Sequence, residues 1–267
     1  MTSSLRSALA DVGLEVLCPS YRRGHQLIET AKYFPFVQAV VSESEADQYR
    51  KNGNAVVVCP DAVQGNKCRV MNWILDRAEA AGLRGVLMLD DDVQFIARYD
   101  KRVDRKLNDA EFAHFVWNGF QMAEDCGVYL WGVNIMPDKM SYRENTPLGF
   151  VKYIGGPFQA VRCGVGLRYD ERLSLKDDYD FTLQNLNKHR RTLRFNQYHY
   201  GARQNEQTGG DATYRTVDEE KRQNELMIRK WGGRIVQHDM LGASRKNRQK
   251  ALAFDLNLVI KPPIAGV

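Results

Sequence analysis

No stretch of this 267-residue chain approaches the ~20 consecutive apolar residues of a membrane span, which argues against an integral membrane protein. The opening residues, Met1 to Arg6, hold no apolar signal-peptide core, so the expectation is a cytoplasmic protein without a membrane partner. The five cysteines (Cys18, Cys59, Cys68, Cys126, Cys163) are scattered and odd in number. None forms a C-x-x-C pair, so neither a zinc site nor a disulfide framework is suggested, and reduced thiols are expected. There is no internal repeat, no low-complexity tract and no linker rich in Pro or Gly. The net charge of +5 is mild; it permits a polyanionic partner without demanding one. The densest positive run, Arg245 to Lys250, also fits a solvated helix face.

What is present is more telling. Val86-Leu87-Met88-Leu89 follows a Gly-containing turn and reads as a buried strand. It ends on three aspartates, Asp90, Asp91 and Asp92. Open α/β sheets bind ligands at the C-terminal ends of their strands. Alternation along a strand points Asp90 and Asp92 the same way. Paired oxygen donors suit a hard divalent cation that already holds phosphates, Mg2+ or Mn2+. An acidic turn with a helix cap is the alternative reading.

The first half alternates strands and helices. Strands are expected at 14–18, 36–42, 55–59 and 86–89, and helices at 26–33, 43–52 and 69–81. This order predicts a mostly parallel sheet covered by helices. A helix at 109–126 and a strand at 128–133 follow. The region 142–161, rich in Gly, Pro and aromatics, reads as strand and loop. Beyond it come a helix at 178–188, a strand at 192–200, a polar and mobile loop at 201–213, and a helix at 218–231 capped by Asp218.

The segment Lys152 to Phe181 carries further chemistry. Gly155 and Gly156 let backbone approach a ligand closely, or simply make a tight turn. Lys176-Asp177-Asp178-Tyr179-Asp180-Phe181 opens a helix, where carboxylates complement the dipole. A carboxylate near others also holds its proton more tightly, which suits a general base.

The ordered set of strand-D-x-D, Gly-rich strand-turn and acidic helix opening resembles a GT-A glycosyltransferase. D-D-Y-D-F is similar to the E-D-x-D-[LF] of that superfamily. The resemblance implies one α/β GT-A domain over 1–267, with a nucleotide-sugar-binding half at about 12–135 and an acceptor-binding half at about 136–267. It implies that Asp90 and Asp92 hold the metal on a nucleotide-sugar diphosphate, with Asp91 between them. It implies that Pro19, Ser20, Tyr21 and Arg22 meet the nucleoside, and that Ser42 and Glu43 read base and ribose. Gly65, Asn66, Lys67 and Arg69 would lie near ribose and diphosphate, and Gly155 and Gly156 beside the donor sugar. Asp178 matches the usual base of inverting members, with Asp177 its neighbour. A late histidine is often the third metal ligand in such enzymes. His199, read as alternating with Phe195 and Gln197, is the first candidate and His238 the second; a structural histidine is the alternative.

A narrower resemblance rests on C-P-S-Y-R-R-G-H, L-D-D-D and L-K-D-D-Y-D-F together. They look like the TET/JBP-associated glycosyltransferases of phages and base-J-forming protozoa. That resemblance implies a UDP-sugar donor, such as UDP-glucose, and a hydroxymethylated pyrimidine in DNA as acceptor. Arg203, Arg215, Arg245, Lys246, Arg248 and Lys250 would track phosphates. Three alternatives stay open. One keeps the fold and takes a protein or glycan acceptor. Another is nucleotidyltransfer, whose Gly- and Lys/Arg-rich signature Ser20-Tyr21-Arg22-Arg23-Gly24-His25 matches poorly. The last is a non-catalytic nucleotide- or DNA-binding module.

Overall fold

The computed structural model describes residues 2–100, 103–135, 142–203, 210–238 and 258–261. The basic run 245–250 lies outside them. A helix, α1 (Thr2–Asp11), leads into β1 (Leu14–Pro19). Next come α2 (Glu29–Tyr33), β2 (Gln38–Ser42), α3 (Ala46–Lys51), β3 (Val56–Cys59), α4 (Lys67–Ala80) and β4 (Gly85–Leu89). A hairpin of β5 (Val93–Asp100) and β6 (Val103–Lys106) follows the aspartates. Then α5 (Asp109–Asp125), β7 (Leu130–Asn134), β8 (Leu148–Gly149) and β9 (Phe158–Arg162) precede α6 (Asp177–His189) and β10 (Leu193–Ala202). The described chain closes with α7 (Val217–Trp231), β11 (Val236–His238) and β12 (Leu258–Ile260).

Ten strands form one sheet in the order β3-β2-β1-β4-β9-β7-β10-β5-β6, with β8 beside β10. Strands β3, β2, β1 and β4 are mutually parallel, and β7 and β10 run parallel to each other. Between them β9 pairs antiparallel with both β4 and β7, so β7 and β10 share the direction of β1 and β4. The reversed β9 matters for function. Phe158 pairs with Leu89, so the turn that precedes β9 lies beside the aspartates that end β4.

Every residue of β4 is buried, as its unbroken apolar run requires. Leu87 and Leu89 join one core with Phe34, Phe112, Phe115, Trp131 and Phe158. Val86 and Met88 join a second core with Met71, Ile74, Leu75 and Phe181. The two cores mark helices on both faces of the sheet. Trp131 is fully buried, and a Cβ on Gly119 of α5 would meet its ring at 2.2 Å, so helix and sheet approach only because Gly119 lacks one.

Several sequence expectations shift. The helix expected at 26–33 begins only at Glu29, because the Asn54 side chain ties Ile28 N–H and Gln26 C=O at 3.0 Å each. Asp218 lies inside α7; its cap is Thr216, whose hydroxyl accepts from Glu219 N–H. The 142–161 region yields only the short β8 and β9. The hairpin β5–β6 and helix α1 were not expected. The loop read as mobile is in part anchored: β10 runs on to Ala202, and 210–213 forms a short 3-10 turn whose Gly210 N–H donates to Tyr21 C=O at 3.0 Å. Among the described residues no helix is long and apolar enough to cross a membrane.

Candidate active site

The chain leaves β4 in a turn at Asp91-Asp92 and returns in β5. Thr30 of α2 fixes that turn. Its hydroxyl donates to Asp90 C=O at 2.6 Å and accepts from Val93 N–H at 2.9 Å, while its own N–H donates to Asp91 C=O at 3.2 Å. The three carboxylates then diverge. Asp91 turns inward and is 6% exposed. It accepts from Ser20 Oγ at 2.6 Å and pairs with the Arg23 guanidinium. Burial still pushes its carboxyl up to about 6. Tyr49 completes this network, with its hydroxyl 2.9 Å from Ser20 Oγ and from Arg23 N–H.

Asp90 and Asp92 are half-buried. Asp90 Oδ1 lies 2.9 Å from Lys67 Nζ. Asp92 Oδ1 is buried with no hydrogen-bond partner. Burial, with Asp90 and Asp91 close by, holds the Asp92 carboxyl well above the usual carboxylate range. An orphaned carboxylate oxygen beside a second carboxylate is a fit for a hard divalent cation.

The acidic helix opening meets the aspartates across Lys67. Asp177 is 5% exposed and its Oδ2 is 3.6 Å from Lys67 Nζ. Burial pushes its carboxyl up as well. Asp178 Oδ2 accepts from Gly156 N–H at 2.9 Å and from the Tyr153 hydroxyl, and its Oδ1 accepts from Tyr179 N–H at 2.8 Å. Gly156 sits in the gap: a Cβ there would lie 3.3 Å from Asp178 Oδ2 and 3.4 Å from Lys67 Nζ. A Cβ on Gly155 would stand 3.0 Å from the Tyr200 hydroxyl and 2.6 Å from Ile135. Both glycines of the expected sugar-side loop are therefore close-approach positions.

The remaining candidates divide. Tyr21 and the exposed Arg22 lie at the rim after β1, with the Arg22 guanidinium over the Tyr21 ring at 4.9 Å. Ser42 is buried with its hydroxyl 3.2 Å from Ser44, and Glu43 is exposed. Asn66 caps α4, accepting from Arg69 N–H, and Arg69 pairs with Glu171 at 3.3 Å. Of that segment Lys67 reaches the carboxylates.

His199 is not brought to the aspartates. Its ring is fully buried and stacks on Tyr99 with centroids 4.5 Å apart. Its Nε2 is 3.9 Å from Asp104, and burial holds its pKa down. A register irregularity between Phe195 and His199 breaks the alternation assumed from sequence, and Tyr200 faces the Gly155 turn instead. His238 is exposed at the end of β11, paired with Leu258. Among the described residues no set of three His, Cys, Asp or Glu side chains has the geometry to enclose a metal. Two residues were missed altogether. Tyr153 holds Asp178, and Asp211 carries a raised carboxyl pKa from burial, moderated first by Lys67. Asp211 lay in a loop whose polarity hid it. Arg23 stands in the opening motif next to Arg22, the residue expected at the nucleoside.

The fold is of the GT-A, nucleotide-sugar transferase kind. Glucosyl-3-phosphoglycerate synthase from Mycobacterium tuberculosis, solved with Mg2+ and uridine diphosphate, is 12% identical with a TM-score of 0.51, over 98% of this chain and 92% of that one. The same synthase solved with Mn2+, UDP-glucose and phosphoglyceric acid is 12% identical with a TM-score of 0.51, over 91% and 89%. No curated protein matches. The model of the TET-associated glycosyltransferase family matches residues 25–211, well over half of the chain. The chain belongs to that family.

Proposed function

We propose that the protein moves a sugar, glucose first among candidates, from a UDP-sugar to the hydroxyl of a hydroxymethylated pyrimidine in DNA, with inversion. The observation that carries the reading is the meeting of two carboxylate sets on Lys67: Asp90 from the end of β4 and Asp177 beside Asp178 at the start of α6. One set suits a donor diphosphate and the other a base. The donor complexes of the structurally similar synthase, with UDP and Mg2+ or Mn2+, support the choice of donor.

Asp90 and Asp92 would hold Mg2+ or Mn2+, which neutralises charge on the departing diphosphate. Two protein carboxylates with the rest of the shell from phosphate and water is the usual economy of Mg2+ at such sites. Tyr21 and Arg22 flank the nucleoside from the rim. Lys67 sets a positive charge where the diphosphate gathers its negative charge. Asp178 takes the proton of the acceptor hydroxyl as that oxygen bonds to the anomeric carbon and the bond to the diphosphate breaks. Tyr153 and Gly156 N–H fix the Asp178 carboxylate for that transfer. A base inside a duplex is out of reach, so the target nucleotide swings out. Arg203 and Arg215 are the described cations proposed to track phosphates; Arg245, Lys246, Arg248 and Lys250 lie outside the described residues.

The test incubates the protein with UDP-glucose, UDP-GlcNAc or UDP-galactose, Mn2+, and DNA carrying 5-hydroxymethylcytosine or 5-hydroxymethyluracil, followed by nucleoside mass spectrometry. A hexose-mass gain on the modified base, lost with EDTA, is the expected result. UDP-sugar binding or hydrolysis with no transfer to DNA would move the acceptor to proteins or glycans.

A further inference from the structure

Lys67 is the cation shared by the two carboxylate sets of the proposed donor site, and it pairs with a carboxylate that would hold the metal. Its side chain is 13% exposed. Its Nζ lies 2.9 Å from Asp90 Oδ1 and 3.6 Å from Asp177 Oδ2, and the Asp178 carboxylate stands across Gly156. Asp211 adds a fourth negative group to the same field. Asp91 is answered separately by Arg23. A buried carboxylate group of this kind is costly without a counter-charge.

A dication held by Asp90 and Asp92 would compete with Lys67 for the Asp90 carboxylate. Two positive charges on one carboxylate repel strongly at the low effective dielectric of a buried site. Lysine is suited to yield, because its compact ammonium rides on a flexible four-carbon stem. The diphosphate of a donor offers new anionic oxygens at the same place.

We propose that Lys67 is an exchangeable counter-ion. In the empty protein it neutralises Asp90 and Asp177; when cation and nucleotide enter together it leaves Asp90 for the diphosphate. Cation binding and nucleotide binding are thereby coupled, and the cation alone binds poorly because it must displace Lys67 with no anion to receive it. This rests on the donor-site reading above.

The test titrates Mn2+ into the protein by the electron paramagnetic resonance of free Mn2+, with and without UDP, for wild type and Lys67→Met. For wild type, weak binding alone and at least tenfold tightening by UDP are expected. For Lys67→Met, Mn2+ alone should bind at least tenfold tighter than to wild type, and the tightening by UDP should shrink by a similar factor. Equal or weaker Mn2+ binding by a folded Lys67→Met overturns the proposal and leaves the donor site standing. Failure of wild type to bind Mn2+ even with UDP overturns both. Should Lys67→Met not fold, amine labelling of wild type read by peptide mass spectrometry decides. Lys67 should label several-fold faster with Mn2+ alone at a concentration that saturates the site than in EDTA, and slowly again with Mn2+ and UDP. A rate insensitive to Mn2+ overturns the proposal.

Discussion

Asp91→Asn and Asp92→Asn, one residue apart, should have opposite consequences. Asp91 is buried against Arg23 and Ser20, and the Arg23 side chain is 11% exposed. Neutralising Asp91 takes the charged carboxylate away from a buried guanidinium, a change that costs about 3–5 kcal/mol. For a chain of this size each kcal/mol moves the melting temperature by roughly 2–4 °C, so a fall on the order of 10 °C is expected. Asp92 is different. Its Oδ1 is buried with no partner, and its neighbours Asp90 and Asp91 are like-charged. Removing that charge relieves repulsion, so Asp92→Asn should melt at or slightly above the wild-type temperature. Its donor turnover should nonetheless fall by about a hundredfold or more, as expected when one oxygen of a metal site is lost. Differential scanning fluorimetry in EDTA and a UDP-release assay with Mn2+ measure the two effects. The reasoning is refuted if Asp91→Asn melts within 2 °C of wild type, or if Asp92→Asn is the less stable variant.

Three further outcomes follow from the same geometry. In EDTA the protein should lose stability as pH rises from about 5 to 8. Burial lifts the Asp92 and Asp177 carboxyls well above the usual carboxylate range, so the folded state binds protons that the unfolded state has released; a melting temperature rising through that window would contradict this. Gly156→Ala places a methyl 3.3 Å from Asp178 Oδ2 and 3.4 Å from Lys67 Nζ, and should cut transfer at least tenfold while the melting temperature moves by only a few degrees. His199→Phe fits the stacked slot on Tyr99 and should leave Mn2+-dependent UDP binding within twofold; a tenfold loss would return His199 to the metal.

Much of this was legible in the sequence for identifiable reasons. The β4 run is buried on both faces, so it reads as an unbroken V/L/M stretch, and the carboxylates at its end stand out. The Asp177-Asp178 opening was visible because acidic residues at a helix start form a compact motif. Side-chain direction was less accessible. Arg22 adopts a left-handed backbone with φ 57° and stays exposed, while Arg23 turns in to Asp91, and no spacing rule separates the two. His199 was misdirected by a register irregularity that counting in twos along β10 does not anticipate. Asp211 reaches Lys67's field only because Gly210 docks on Tyr21, a contact 189 residues distant in sequence (210 − 21) and invisible to local pattern.

The most direct test of the central claim is an anomalous difference map at the manganese edge from crystals grown with Mn2+ and UDP. The account predicts one strong peak bridging Asp90 and Asp92, with the diphosphate against it and Lys67 drawn off Asp90. A peak held elsewhere, or UDP bound with no peak at these aspartates, would contradict it.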